Sequence, residues 1–116
     1  MADSGTPKLI ENIIPILSVK DLSISLAYYE KALGFSTKWI ADGFACLTRN
    51  GWDVYVSEGD QGQPGTWLWV GLENIDQMYQ ECQSRGATII SEISTNDWGR
   101  EFRVEDPDDH VIRFGG

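Results

Sequence analysis

The sequence repeats one pattern of apolar and aromatic residues at an offset of 53 positions, the separation of Val19 from Leu72. Four pairs share this offset: Val19 with Leu72, Leu22 with Ile75, Leu26 with Tyr79, and Tyr29 with Cys82. A glycine closes each copy, Gly34 in the first and Gly86 in the second. Self-similarity at a fixed period indicates one supersecondary unit that occurs more than once. The chain is therefore predicted to fold as two similar units.

Each copy contains one predicted helix with a recognisable start and end. Leu22, Leu26 and Tyr29 are spaced by four and three residues, which places them on one helix face. Asp21 and Asn74 stand where an N-cap is needed, because their side chains can accept from the first orphan amides. The glycine after each copy suits the left-handed position that ends a helix.

Strands surround each helix. The first copy has predicted strands at Ile13–Val19, Phe35–Ile40, Phe44–Arg49 and Trp52–Ser57. The second has them at Trp67–Leu72, Ala87–Ile93, Glu101–Glu105 and Val111–Phe114. The dipeptide Asn50-Gly51 and the turn 106–109 join the last two strands of each copy. The prediction is an α+β fold, a single domain (1–116) of two βαβββ repeats (about 9–57 and 67–116) joined by a 58–66 linker, with a concave mixed sheet.

Charge and cysteine content exclude several partners. The net charge is −9 and the isoelectric point is near 4.3, whereas nucleic acids and anionic membranes need basic patches. No apolar run approaches the roughly 20 residues of a membrane span. The only cysteines, Cys46 and Cys82, form no zinc or disulfide pattern, and Cys82 falls on an apolar helix face. We expect a cytoplasmic protein without nucleic-acid or membrane partners.

Three segments resemble the vicinal oxygen chelate superfamily, which includes glyoxalase I, extradiol dioxygenases, and fosfomycin- and bleomycin-resistance proteins. The segments are IPILSVKDLSISLAYYEKALGF (14–35), VGLENIDQMYQECQSRGA (70–87) and WGREFRVEDPDDHVIRFGG (98–116). All three occur in order and at the repeat distance. The resemblance implies the paired βαβββ fold.

The metal-binding members of that superfamily place two histidines and a glutamate at positions that correspond here to Ile14, Trp67 and Arg113, with Tyr55 at the related fourth-strand position. None of the first three can bind a divalent cation, and an arginine would repel one. We therefore expect no metal and no cofactor. A metal-dependent glyoxalase or dioxygenase-like enzyme remains the alternative, and enzymatic activity is not expected.

The last segment is similar to the bleomycin-resistance type. That resemblance implies a non-enzymatic homodimer that confers antibiotic resistance by sequestering a cationic or aromatic ligand, such as a glycopeptide antibiotic, in an aromatic, acidic crevice at the dimer interface. A small-molecule sensor is a further alternative. Two differences from the type concern the final turn: Asp109 stands where glycine is usual, and His110 stands where asparagine is common. At a turn, His110 is expected to be solvated.

Alternation along the strands predicts which side chains line the crevice. Trp67 and Trp69 alternate with core residues, as does Tyr55, and Asp53 and Arg113 are predicted as opposed charges on the same side. Trp98, with Arg100 beside it, and Trp39 complete the predicted ligand-binding set. The other reading is that these aromatics fill a small core and that Asp53 and Arg113 form a plain ion pair.

Overall fold

The structure is a computed structural model that describes residues 7–116; residues 1–6 of the predicted domain lie outside the described part. It contains two helices and eight strands. These are β1 (Ile16–Ser18), α1 (Leu22–Leu33), β2 (Ser36–Ala41), β3 (Phe44–Arg49), β4 (Trp52–Ser57), β5 (Trp67–Gly71), α2 (Ile75–Arg85), β6 (Thr88–Asn96), β7 (Gly99–Glu105) and β8 (Val111–Gly115). The predicted βαβββ order occurs in both halves.

The strands form two four-stranded mixed sheets, in the orders β1-β4-β3-β2 and β5-β8-β7-β6. In each sheet the first strand pairs in parallel with the fourth, and the other pairs are antiparallel. The α+β class and the two-unit architecture are thus confirmed. Within one chain, however, the eight strands do not join into a single sheet, so each half presents its own surface.

Both helices begin and end where the sequence indicates. The Asp21 carboxylate accepts from the amide of Ile24 at 3.1 Å, and the Asn74 carbonyl oxygen accepts from the amide of Gln77 at 3.1 Å. Gly34 follows α1 with φ +71°, a left-handed conformation that glycine adopts without a Cβ penalty. The offset of 53 is therefore also the separation of the two helix starts.

Strand ends differ more from prediction. β1 covers only Ile16–Ser18, because its pairing with β4 extends no further toward the N-terminus than the carbonyl of Pro15, which accepts from Tyr55. β6 continues beyond Ile93, the predicted end of this strand, to Asn96. Its residues continue to pair with β7 across two register shifts. Regular pairing with a long neighbour overrides the polar composition of that stretch.

Each helix covers one face of its sheet and leaves the other without a helix. In the second half Phe102 stacks on Phe114 at 5.0 Å between ring centroids, and Tyr79 of α2 packs edge-on against Phe102. Cys82 is fully buried, as predicted, and burial raises the pKa of its thiol to about 11. We call the opposite side of each sheet its helix-free face.

The final turn connects the two halves. The Asp106 carboxylate accepts from the Tyr29 hydroxyl at 2.7 Å and from the amides of Asp108 and His110, both at 2.9 Å. Burial, followed by the nearby Asp106 carboxylate, raises the pKa of Tyr29 well above its ordinary value. The turn is thereby held against α1 of the first half.

His110 is buried, and the expectation that it would be solvated is wrong. Its exposed fraction is zero. Its Nδ1 accepts from the amide of Thr66 at 2.9 Å, and its Nε2 lies 2.6 Å from the carbonyl oxygen of Ser18. Since an amide only donates and a carbonyl only accepts, these partners assign the neutral tautomer with hydrogen on Nε2. Through these hydrogen bonds the His110 ring links the end of β1, the linker and the final turn.

A second connection joins the helices. Arg49 donates to both carboxylate oxygens of Glu81, at 2.7 and 3.1 Å, and to the carbonyl of Leu33 at the end of α1. Arg85 adds a contact to Glu81 at 3.2 Å and donates to the carbonyl of Lys31. The halves therefore meet through α1, α2 and the final turn, which leaves both helix-free faces uncovered.

The molecule is flat. Its dimensions are 46 × 39 × 22 Å and its radius of gyration is 15.6 Å, whereas a compact chain of this length would have a radius of about 13 Å. No helix in residues 7–116 is long and apolar enough to cross a membrane.

Candidate functional site

Tryptophans and arginines form a layer on the helix-free face of the second sheet. Trp67 and Trp69 come from β5, Trp98 from the β6–β7 turn, Arg103 from β7 and Arg113 from β8. We call these five residues the tryptophan–arginine face. The three indoles are 54%, 51% and 57% exposed, respectively. Within this chain they do not fill a core, so the alternative that these three aromatics are core residues does not hold.

The indoles and guanidinium groups contact one another. Trp69 and Trp98 meet edge to face with ring centroids 5.5 Å apart. The Arg113 Cζ atom lies 5.3 Å from the Trp69 ring centre and 6.0 Å from that of Trp98, and Arg103 Cζ lies 5.1 Å from that of Trp67. Each such cation–π contact contributes about 0.5–1 kcal/mol at an exposed site. The layer is therefore ordered before any ligand arrives.

Gly115 lets Trp69 lie against its sheet. A Cβ placed on Gly115 would overlap the six-membered ring of Trp69, so the indole occupies the space above that residue. A Cβ on Gly71 would lie 3.6 Å from the indole nitrogen, which is an ordinary contact. The glycine near the end of β8 thus fixes where the indole rests, and this role was not predicted from the sequence.

A buried carboxylate holds both arginines in place. Glu101 is 4% exposed; its Oε2 accepts from Arg103 Nε at 3.0 Å and from Arg113 Nε at 3.1 Å, and its Oε1 accepts from Arg113 Nη2 at 2.6 Å. Hydrogen bonding from Arg113, and then from Arg103, lowers the pKa of Glu101 from 4.5 to about 2, although burial opposes the shift. Glu101 is therefore ionised at neutral pH and fixes the two guanidinium planes.

The helix-free face of the first sheet carries a separate aromatic cluster. Trp39 stacks on Phe44 at 5.9 Å, and Tyr55 lies 5.4 Å from Trp39 and 5.2 Å from Phe44. Beside them Asp53 accepts from Lys38 Nζ at 3.0 Å. This cluster therefore consists of aromatic rings and a carboxylate whose negative charge is paired with a lysine.

The predicted site residues thus separate into two groups. Trp67, Trp69, Trp98 and Arg113 lie together on the second sheet, whereas Trp39, Asp53 and Tyr55 lie together on the first. The predicted opposition of Asp53 and Arg113 is wrong within one chain, because Asp53 pairs with Lys38 and Arg113 pairs with Glu101.

Arg100 lies apart from both groups. It alternates with Glu101 along β7 and therefore points to the helix side, where it donates to Asp76 in the first turn of α2 at 2.8 and 3.2 Å. Glu101 and Arg103 were missed as site residues, although strict alternation from Phe102 into β7 would have placed both on the helix-free face. Phe44 was missed in the same way.

A cleft of about 860 Å³ lies between the halves. Apolar side chains from both halves line it, among them Phe35, Val54 and Leu68, and Trp52 is also a lining residue. Of the predicted site residues only Asp53 and Trp69 reach it. It is a second place where a small molecule could bind, and experiments must distinguish it from the tryptophan–arginine face.

The residues at the superfamily's metal positions do not fit a metal. Arg113 is committed to Glu101 and stands against Trp69, and Trp67 stacks with Arg103, so neither offers a donor lone pair to a cation. Within residues 7–116 no three histidine, cysteine or carboxylate side chains converge at one point. The residues at these positions therefore do not provide the chemistry of the metal-dependent members.

Two βαβββ units, each with a helix on one sheet face and an aromatic layer on the other, define the class of tandem βαβββ proteins. The family model described as Glyoxalase/Bleomycin resistance protein/Dioxygenase superfamily matches residues 12–114. The chain belongs to this superfamily, so the resemblance noted in the sequence is confirmed.

Individual relatives agree with this assignment. The chain is 29% identical over 122 residues to a bleomycin resistance protein of Geobacillus stearothermophilus, a match that covers 87% of this chain and 92% of the relative. Among solved structures, a bleomycin-binding protein complexed with bleomycin has a TM-score of 0.77 at 21% identity, with 91% and 98% of the two chains covered. A bleomycin resistance determinant encoded on transposon Tn5 has a TM-score of 0.78 at 21% identity, with 91% and 97% covered.

Proposed function

We propose that this protein is a non-catalytic small-molecule-binding protein that sequesters a ligand with a planar aromatic group on the tryptophan–arginine face. The observation that carries the proposal is the half-exposed, ordered set of Trp67, Trp69 and Trp98. Indole faces of this kind stack on planar groups, and one stack contributes about 1–3 kcal/mol. The similarity to bleomycin resistance proteins and to a bleomycin-binding protein supports a role in resistance to an antibiotic of the bleomycin type.

We further propose that a second copy of the chain completes the crevice as a homodimer. Both helix-free faces are uncovered in one chain, and the two aromatic groups lie on different sheets. Strand β5 also has an open edge. The carbonyl of Thr66 and the amide of Leu72 bond to β8, and the residues at alternate positions direct their backbone groups to the opposite side of the strand. Such an edge favours pairing with another strand. A second copy could place the first sheet of one chain over the second sheet of the other.

The alternatives are less well supported. A metal-dependent enzyme would need ligands where Ile14, Trp67 and Arg113 stand. A sensor would need a second element that changes with the ligand, and the described residues form only the two units. A cytoplasmic location and the lack of a cofactor stay predictions.

The ligand site can be tested with paired tryptophan variants. Trp67→Ala should weaken binding of 2-naphthamide, a neutral planar probe, by about 1–3 kcal/mol, because one stacking surface is lost. The free energy of unfolding should fall by no more than about 1.5 kcal/mol, since the side chain is half exposed. Isothermal titration and urea unfolding measure the two quantities, and bleomycin itself is titrated in parallel.

Trp52→Ala is the matched control. Trp52 is 79% exposed and lines the cleft between the halves, and it is not one of the five residues of the tryptophan–arginine face. It should leave binding unchanged. Loss of binding in Trp52→Ala with retention in Trp67→Ala would place the ligand in the cleft and contradict the proposed site.

Sedimentation equilibrium tests the homodimer. The chain mass is 13.0 kDa, so at micromolar concentration we expect twice that mass, because the uncovered aromatic faces and the open β5 edge should associate. A mass equal to one chain across the micromolar range would contradict the proposed dimeric crevice.

A further inference from the structure

We infer that the ligand of the tryptophan–arginine face carries an anionic group, such as a carboxylate or sulfonate, attached to its planar ring. This inference rests on the proposed binding function and narrows its ligand class. It differs from the cationic ligand that both the overall net charge of −9 and the resemblance to the bleomycin-resistance type favour, because the local side chains on this face are basic whereas the total charge is acidic.

The arginines on this face retain unused hydrogen-bond donors. Glu101 engages Nε of Arg103, and Nε and Nη2 of Arg113. Within residues 7–116, three donor atoms make no hydrogen bond: both Nη atoms of Arg103 and the Nη1 atom of Arg113. Their side chains are 37% and 34% exposed, so these donors are accessible from solvent. A guanidinium group with two such donors fits the two oxygens of a carboxylate.

The buried Glu101 does not cancel this preference. It is 4% exposed and lies beneath the two guanidinium groups, where its oxygens are already bonded to them. One carboxylate therefore fixes two arginines, and the surface that a ligand meets consists of guanidinium edges and indole rings. Glu105, the other carboxylate of β7 on this face, lies two residues beyond Arg103, and across Val111 of β8 it is level with Trp67 and not with Trp98.

The two groups of the ligand follow from the distances. Arg103 lies over Trp67 and Arg113 lies between Trp69 and Trp98, so each guanidinium group adjoins an indole. A ring stacked on an exposed indole surface would place a substituent at the height of the guanidinium donors. A cationic substituent at the same height would meet two guanidinium groups that share one carboxylate, a cluster with a net charge of +1. Neutral planar ligands should bind through stacking alone.

Three naphthalene derivatives of equal ring area test the inference: 2-naphthoate, 2-naphthamide and 2-naphthylmethylammonium. We expect 2-naphthoate to bind at least about tenfold more tightly than 2-naphthamide, because one charge-assisted hydrogen bond contributes at least that factor. We expect the ammonium to bind more weakly than the amide. Isothermal titration of the full chain at neutral pH and low salt, with tryptophan fluorescence as a second signal, measures all three affinities.

Two variants of the same strand locate the effect. Arg103→Gln should reduce the affinity for 2-naphthoate about tenfold and leave that for 2-naphthamide within twofold. Arg100→Gln removes the same charge from the helix side of β7, where Arg100 pairs with Asp76, and should change neither affinity. A melt of each variant checks that both remain folded.

The outcomes separate the inference from the proposed function. If 2-naphthamide and the ammonium bind as tightly as 2-naphthoate, the proposed function stands and the inference is overturned. Equal losses of 2-naphthoate binding in Arg103→Gln and Arg100→Gln would also overturn it, because the effect would then be one of overall charge. If none of the three probes binds, the proposed aromatic site fails and the inference fails with it.

Discussion

Replacement of His110 by alanine is expected to lower the free energy of unfolding by about 3–4 kcal/mol. The substitution leaves the partly buried amide of Thr66 and carbonyl of Ser18 without the ring that bonds them, and each unsatisfied buried group costs about 1–3 kcal/mol. It also leaves a cavity where a fully buried ring stood. Urea unfolding of the variant and the parent measures the difference.

His110→Asn provides the graded control. An asparagine oxygen can take the place of Nδ1 and accept from Thr66, but its side chain is too short to reach Ser18. We therefore expect a loss of about 1–2 kcal/mol, with the Thr66 amide still protected from hydrogen exchange. If His110→Ala unfolds within 1 kcal/mol of the parent, the ring does not fasten the two halves together.

Glu101 is expected to make the protein sensitive to acid. Its folded pKa of about 2 lies below the ordinary value of 4.5, and each pKa unit corresponds to roughly 1.4 kcal/mol. After allowance for the partial exposure of Arg103 and Arg113, the stabilisation is about 2–3 kcal/mol. Because the folded pKa is depressed, this stabilisation is fully present above about pH 5 and is lost as the pH falls toward 2. Urea unfolding at intervals from pH 7 to pH 3 measures it.

Glu101→Gln should remove about 2–3 kcal/mol at pH 7 and flatten the dependence of stability on pH below 5. It should also weaken 2-naphthoate binding, because the guanidinium groups lose the carboxylate that fixes them. Asp76→Asn is the control: Asp76 pairs with Arg100 in the same way but is 63% exposed, so its replacement should cost much less stability than Glu101→Gln. Equal losses in the two variants would show that burial of Glu101 is not the cause.

The sequence alone determined the two units and their helices. The offset of 53 residues, the N-caps Asp21 and Asn74, and the closing glycines are local signals, and local signals are enough to specify where a helix begins and ends. Asp109 has a φ of +64°, which is the left-handed conformation expected at a turn position where the resemblance implies glycine.

Alternation also predicted which strand residues avoid the core. Trp67 and Trp69 face away from α2 because Leu68 and Val70 between them pack against the core. A period of two follows from strand geometry and needs no knowledge of neighbours. Arg100 was misplaced, because the same period puts it on the helix side of β7 with Phe102, where it pairs with Asp76.

Only the tertiary structure decided which groups meet. Whether Asp53 would face Arg113 or Lys38, and whether His110 would meet water or the carbonyl of Ser18, depends on how the two halves are placed, and residues 92 positions apart in the chain have no local signal that couples them. The charge of the candidate site followed the same rule. The resemblance to the bleomycin-resistance type implied an acidic crevice, whereas the pairing of β7 with β8 places two arginines over one buried glutamate on the second sheet. Local sequence determines secondary structure and strand faces, whereas long-range contacts determine which side chains pair with one another.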